Sequence, residues 1–257
     1  MNPLWYSLGP LLIINIIMLA TVLIYASIAQ KVPADKEVME RHASAFVNRW
    51  FRGYWVWLIS PIERFFVRSR ITPNQLTLIG LVVSSLAGLF YAYGRLGLAG
   101  WMVILGGTFD MFDGRVARIT NQVSRTGAYF DAVMDRYSEG IAYCGLLYFF
   151  RDHWMFWLVL TAFLGAFMVS YSKARGEAMG LQVTSGSMQR PERIVYLGVA
   201  SIFSPIFRVF LGEYGPLPND ELLLIASLFL IALGTNWSAI ARIREVMTAL
   251  RLQEKTR

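Results

Sequence analysis

The apolar positions of this chain fall in long uncharged blocks. Residues 4–29 carry no charge, and neither do 75–94; further blocks run 96–108, 140–150, 154–172, 194–207 and 222–241. A helix needs about 20 apolar residues to cross the hydrocarbon core of a bilayer. Joined across the charges that interrupt them, the blocks predict membrane helices at 75–94, 99–121, 127–150, 154–177, 192–212 and 221–244, preceded by one at 4–29. The expected fold is therefore an all-α, polytopic membrane protein with a six-helix transmembrane core at 71–245. The N-terminal helix, 1–30, is expected to be a retained anchor. No basic residue precedes it, and its apolar run exceeds the 7–15 residues of a signal-peptide core.

The segment 31–70 breaks the pattern. It holds eight basic residues (Lys31, Lys36, Arg41, Arg49, Arg52, Arg64, Arg68, Arg70) and four acidic ones (Asp35, Glu37, Glu40, Glu63), with Trp50, Tyr54, Trp55, Trp57, Phe65 and Phe66 between them. Basic and aromatic residues together suit a helix lying in the headgroup layer, so an interfacial amphipathic connector is expected here. Residues 246–257 are expected to be a polar tail.

Composition agrees with the blocks. The chain is 56% hydrophobic and only 16% charged, against about a quarter charged in soluble domains, and its mean hydropathy is +0.47. The net charge of +7 would suggest nucleic acid in a soluble protein. Here the cations sit at the ends of apolar blocks, where the positive-inside rule accounts for them and no nucleic-acid partner is implied. The stretches 31–74, 115–125, 173–193 and the end of the chain are rich in Lys and Arg. The intervening connectors carry one cation each: Arg95, Arg151 and Arg208. That alternation places the former set, including the C-terminus, on the cytoplasmic side. Cys144, His42 and His153 are isolated and carry no motif.

Four carboxylates stand out. An Asp at the centre of a membrane helix costs about 2.5–3.5 kcal/mol on insertion scales, yet Asp110, Asp113, Asp131 and Asp135 lie within 26 residues. The first two are spaced i, i+3 and the last two i, i+4, so each pair shares a helix face. A turn after Arg118 folds the second helix back on the first and lets the four converge. Four anions together call for compensating cations. Arg118 offsets one, and oxygen-only ligands select hard divalent ions such as Mg²⁺ or Mn²⁺. Two ions about 3.5–4 Å apart make the clamp used in phosphoryl displacement. Gly114 and Gly127 let a bulky ligand approach the backbone, and Gly107 suits close helix packing. Charge and spacing alone also allow a metal-ion carrier or a non-catalytic scaffold.

The run Asp110-x-x-Asp113-Gly114-x-x-Ala117-Arg118, eight residues, Gly127-x-x-x-Asp131-x-x-x-Asp135 resembles the complete signature of the CDP-alcohol phosphotransferases. The resemblance covers roughly residues 70–245. It implies a six-helix core, a homodimer and a site on the cytoplasmic side. It further implies Asp110, Asp113 and Asp131 as metal ligands, and Asp135 as the residue that completes a second metal site and acts as general base. By the same resemblance Asp110, Asp113, Gly114, Ala117, Arg118 and Gly127 bind the CDP moiety, together with Thr72 and Asn74 of a Thr-Pro-Asn segment. The implied reaction moves a phosphatidyl group from CDP-diacylglycerol to an alcohol, with CMP leaving.

Four further cations, Lys173, Arg175, Arg190 and Arg193, bracket the loop between the fourth and fifth core helices. Arg forks bind phosphate bidentately, so a phosphorylated acceptor is expected. The Lys-Ala-Arg and Arg-x-x-Arg elements resemble the phosphatidylinositol-phosphate and archaetidylinositol-phosphate synthase branch, which implies inositol 1-phosphate as acceptor. Gln189 stands where that branch carries an acidic residue, and glycerol 3-phosphate is the nearest alternative acceptor.

Overall fold

The structure, a computed structural model, describes residues 3–29, 49–210 and 221–255. The first half of the connector, with Lys31, Lys36, Arg41 and His42, lies outside the described residues, as does 211–220. The described residues form eight helices and no strands: α1 Pro3–Ile28, α2 Arg49–Arg68, α3 Pro73–Ala92, α4 Leu96–Ile119, α5 Arg125–Phe149, α6 Met155–Ala178, α7 Arg190–Phe210 and α8 Leu222–Lys255.

Local chemistry sets the boundaries nearest the carboxylates. Thr72 caps α3 in a reciprocal capping box: its hydroxyl accepts from Gln75 N–H at 3.4 Å, and Gln75 Oε1 accepts from Thr72 N–H at 2.8 Å. Pro73 follows at the first helical position, where its missing N–H is not needed. Ser124 caps α5 by accepting from Gly127 N–H at 3.0 Å. The eight-residue gap in the motif therefore contains both the end of α4 and the capped start of α5.

Helices α3 to α8 pack together. α3 lies against both α4 and α5, α4 against α7, and α6 against α8. Tyr91, Tyr143, Leu146, Phe150, Val159, Leu228 and Ile231 fill the centre. Small residues bring the backbones close, as membrane helices require. Gly88 and Gly145 face each other where α3 crosses α5. A Cβ at Gly88 would lie 2.5 Å from the Ile141 carbonyl oxygen, and one at Gly145 would strike the Gly88 carbonyl. Gly145→Val is expected to force this crossing apart and lower stability by about 1–3 kcal/mol, read as a lower thermal aggregation midpoint in detergent.

Among the described residues, four helices are long and apolar enough to cross a membrane: α1, α3, α6 and α8. The four carboxylates of the motif lie on α4 and α5. α1 packs lightly on α7, α4 and α2. Ser7 sits buried against Gly97, and Thr21 hydrogen-bonds Tyr54 at 2.9 Å. Leu12, Ile13, Ile16, Leu19 and Leu23 remain exposed, as suits a peripheral helix in lipid.

One boundary differs from expectation. Helix α8 continues to Lys255, past the expected helix end at 244. The stretch after Arg242 holds no Gly or Pro to break the helix.

Candidate active site

The site is built where α3, α4, α5 and α7 meet. Carboxylate oxygens of Asp110, Asp113 and Asp131 lie within 4.8 Å of one another. Asp113 is buried and receives the Thr77 hydroxyl at 2.6 Å. Asp131 Oδ1 is buried and has no hydrogen-bond partner among the described residues. An unsatisfied buried carboxylate oxygen is costly, and three such groups so close repel one another. A divalent cation resolves both problems, and an all-oxygen donor set fits a hard ion. These residues therefore fit the metal that their spacing implies.

Asp135 joins the cluster through an arginine. One Arg190 nitrogen, Nη1, lies 2.8 Å from Asp110 Oδ2 and 2.7 Å from Asp135 Oδ1. Arg190 opens α7, and the loop before it fixes its place. Gly180 and Gly186 turn that loop with φ of 78° and 98°, a region that suits residues without Cβ. Glu245 of α8 accepts from Thr184 N–H at 3.2 Å and Ser185 N–H at 3.1 Å. Arg242 donates to Ser185 O at 2.8 Å and Val169 O at 2.6 Å, and Ser238 accepts from Met188 N–H at 3.1 Å. Ser238, Arg242 and Glu245 of α8 thus anchor the loop that presents Arg190.

The four cations of the 173–193 region fall into different settings. Lys173 is exposed, 3.8 Å from Glu177, and Arg175 is exposed nearby on the last turn of α6. Arg190 faces the carboxylates. Arg193 is buried and clasps Glu139 with Nε at 2.6 Å and Nη2 at 3.0 Å, while Nη1 donates to Met188 O at 3.2 Å. Glu139 also accepts from Arg136 at 3.1 Å, and Arg136 reaches Ser170. In the structure Arg190 and Arg193 are therefore counter-ions of acidic side chains. Sequence reasoning did not foresee this.

A cavity of about 620 Å³ opens beside the cluster. It is lined by Thr72, Asn74, Thr77, Asp113, Gly114, Ala117, Arg118, Gly127 and Asp131, with the turn 122–124. Its volume is in the range of small-molecule sites, about 300–1,000 Å³. The two glycines are shaped differently. A Cβ at Gly114 would lie 3.6 Å from Arg118, in ordinary contact, whereas one at Gly127 would press on Ser124 Oγ at 3.1 Å. Gly107, expected to serve packing, lies under Ile194 of α7.

A cluster of membrane-helix carboxylates beside a cavity of small-molecule size suits a membrane protein that binds a ligand at a divalent metal. Comparison with known proteins narrows it. The profile of the CDP-alcohol phosphatidyltransferases matches residues 70–250. The archaetidylinositol phosphate synthase of Pyrococcus horikoshii is 37% identical over 57% of this chain and 79% of its own. The phosphatidylinositol phosphate synthase of Mycobacterium tuberculosis, in a crystal structure with CDP-DAG bound, superposes with a TM-score of 0.64 at 30% identity, over 74% of this chain and 94% of that one. A second crystal structure of that synthase, with manganese and citrate, gives 0.64 and 30% over 73% and 88%. The chain belongs to the CDP-alcohol phosphatidyltransferase family. It is an integral membrane transferase, and its acidic cluster suits a divalent metal.

Proposed function

We propose that this protein transfers the phosphatidyl group of CDP-diacylglycerol to the hydroxyl of a phosphorylated alcohol, inositol 1-phosphate, forming phosphatidylinositol phosphate and releasing CMP. The observation that carries this reading is the cavity, which both halves of the signature line and which reaches Asp113 and Asp131 of the carboxylate cluster. The relatives named for inositol phosphate lipids support the acceptor.

In this reading Thr72, Asn74, Gly114, Ala117, Arg118 and Gly127 seat the CDP moiety, the glycines by letting it approach the backbone. Asp110, Asp113, Asp131 and Asp135 hold two ions per subunit, Mg²⁺ or Mn²⁺, and the bound metal supplies charge neutralisation at the pyrophosphate. Thr77 fixes Asp113 by its hydrogen bond. Asp135 accepts the proton of the attacking hydroxyl, whose oxygen bonds to the lipid-side phosphorus as the bond to CMP breaks. Lys173, Arg175, Arg190 and Arg193 supply the positive field that holds the acceptor's phosphate, with Arg193 oriented by Glu139. All six helices α3–α8 cross the bilayer, α1 anchors the chain beside them, and α2 lies in the interface. The site and the end of α8 face the cytoplasm, and the molecule works as a homodimer.

The test is CMP release by purified protein in detergent, with CDP-diacylglycerol, Mg²⁺ and a panel of inositol 1-phosphate, free inositol, glycerol 3-phosphate and serine. Turnover is expected with inositol 1-phosphate. Asp135→Asn is expected to lower it by about 10²–10⁴-fold, the usual contribution of a general base. Turnover with glycerol 3-phosphate instead would keep the reaction and replace the acceptor.

A further inference from the structure

The interfacial helix α2 touches the catalytic helix at a charged point that the reaction does not use. Glu63 of α2 is 4% exposed. It pairs with Arg115 of α4: Nε contacts Oε1, and Nη2 lies 3.5 Å from Oε2. Arg115 stands two residues after Asp113. A second contact lies one turn away. The Phe66 ring meets Phe112 edge-on at 5.4 Å and Phe109 at 6.4 Å. With Ile59, Leu76 and Val116 these rings form a small apolar cluster separate from the main core.

Helical spacing gives this contact its meaning. Phe109, Phe112 and Arg115 recur every three residues and make one stripe of α4. Asp110 and Asp113 make the stripe beside it. Whatever rotates or shifts the first stripe moves the two carboxylates with it. α2 also has an outward face: Trp55, Ile62 and Phe65 are exposed on it, alongside the exposed cations Arg64 and Arg68, a composition that suits the headgroup layer.

We propose that Glu63 is a positioning residue for the metal site, setting the rotation of α4 through Arg115, with Phe66 as the second point of hold. The buried acid of an otherwise basic surface helix thus fixes Asp110 and Asp113 relative to Asp131 on α5. The inference concerns metal affinity and goes beyond the proposed acceptor.

The test is a Mn²⁺ titration of the full chain in detergent by electron paramagnetic resonance, with CMP release measured in parallel. Partners behind metal ligands typically change affinity by about 10–100-fold. Glu63→Gln is expected to weaken Mn²⁺ binding about tenfold while the protein still elutes as a folded species. The double variant Glu63→Arg with Arg115→Glu, which rebuilds the pair reversed, is expected to recover most of that loss. If Glu63→Gln does not survive extraction, Glu63→Asp, which keeps the charge but shortens the reach, takes its place with the same expected weakening. Mn²⁺ affinity equal to wild type in a folded Glu63→Gln or Glu63→Asp protein would overturn the proposal. So would a loss that the reversed pair leaves uncorrected while its fold is intact. Wild-type protein that binds Mn²⁺ yet releases no CMP would count against the proposed reaction and leave this comparison standing.

Discussion

Asp131→Asn is expected to remove most Mn²⁺ binding and to lower CMP release by about 10²–10³-fold or more, the loss seen when an electrostatic stabiliser of a transition state is removed. It is expected to do so without unfolding the protein. The three carboxylates of Asp110, Asp113 and Asp131 lie within 4.8 Å of one another, and Asp131 Oδ1 has no hydrogen-bond partner among the described residues. Asparagine keeps the shape, removes one of the repelling charges and adds an N–H₂ that a neighbouring carboxylate can accept. The folded chain is therefore relieved of strain where the active chain needs it. A thermal midpoint unchanged or raised, together with lost metal binding and lost turnover, is the expected signature, and it is the usual trade between stability and function at a site of clustered charge. A lower midpoint with turnover retained would mean that the cluster serves packing instead.

The parts of this site that were legible in the sequence are those joined by short helical spacing. Asp110 with Asp113, and Asp131 with Asp135, announce shared faces from their spacing alone. What the sequence did not disclose comes from residues distant along the chain. Thr77 reaches Asp113 across 36 positions, Glu63 reaches Arg115 across 52 and Arg193 reaches Glu139 across 54. No periodicity links such pairs. The cations of the 173–193 region show the limit most clearly. Their number follows from membrane topology, so counting them cannot tell an exposed Lys173 from an Arg193 sealed against a carboxylate. Helix α8 runs on past the expected end at 244 to Lys255; Glu245, Arg242 and Ser238 on it each hold the 181–189 loop, across some fifty to sixty positions of sequence that no periodicity links.

The largest stability effect is expected at Glu139. Its carboxylate takes two hydrogen bonds from Arg193, at 2.6 and 3.0 Å, and one from Arg136 at 3.1 Å, and its side chain is only 12% exposed. Removing one partner of a buried ion pair costs about 3–5 kcal/mol, because the other is left charged without water. In Glu139→Ala that burden falls chiefly on Arg193, whose side chain is 3% exposed. Arg136 still has Ser170 and Asp135 within reach. The expected result is a sharply lower thermal midpoint in detergent and loss of turnover. Stability and function separate in a second variant. Buried ion pairs replaced together by apolar residues of similar volume are often neutral in stability, so Glu139→Met with Arg193→Met is expected to regain much of the midpoint. Turnover is not expected to return with it. Arg193 lies one helical turn beyond Arg190, and its charge lies behind the one that faces Asp110 and Asp135. A double variant that is both stable and active would assign the Glu139–Arg193 pair to folding alone and leave the acceptor's phosphate to Lys173, Arg175 and Arg190.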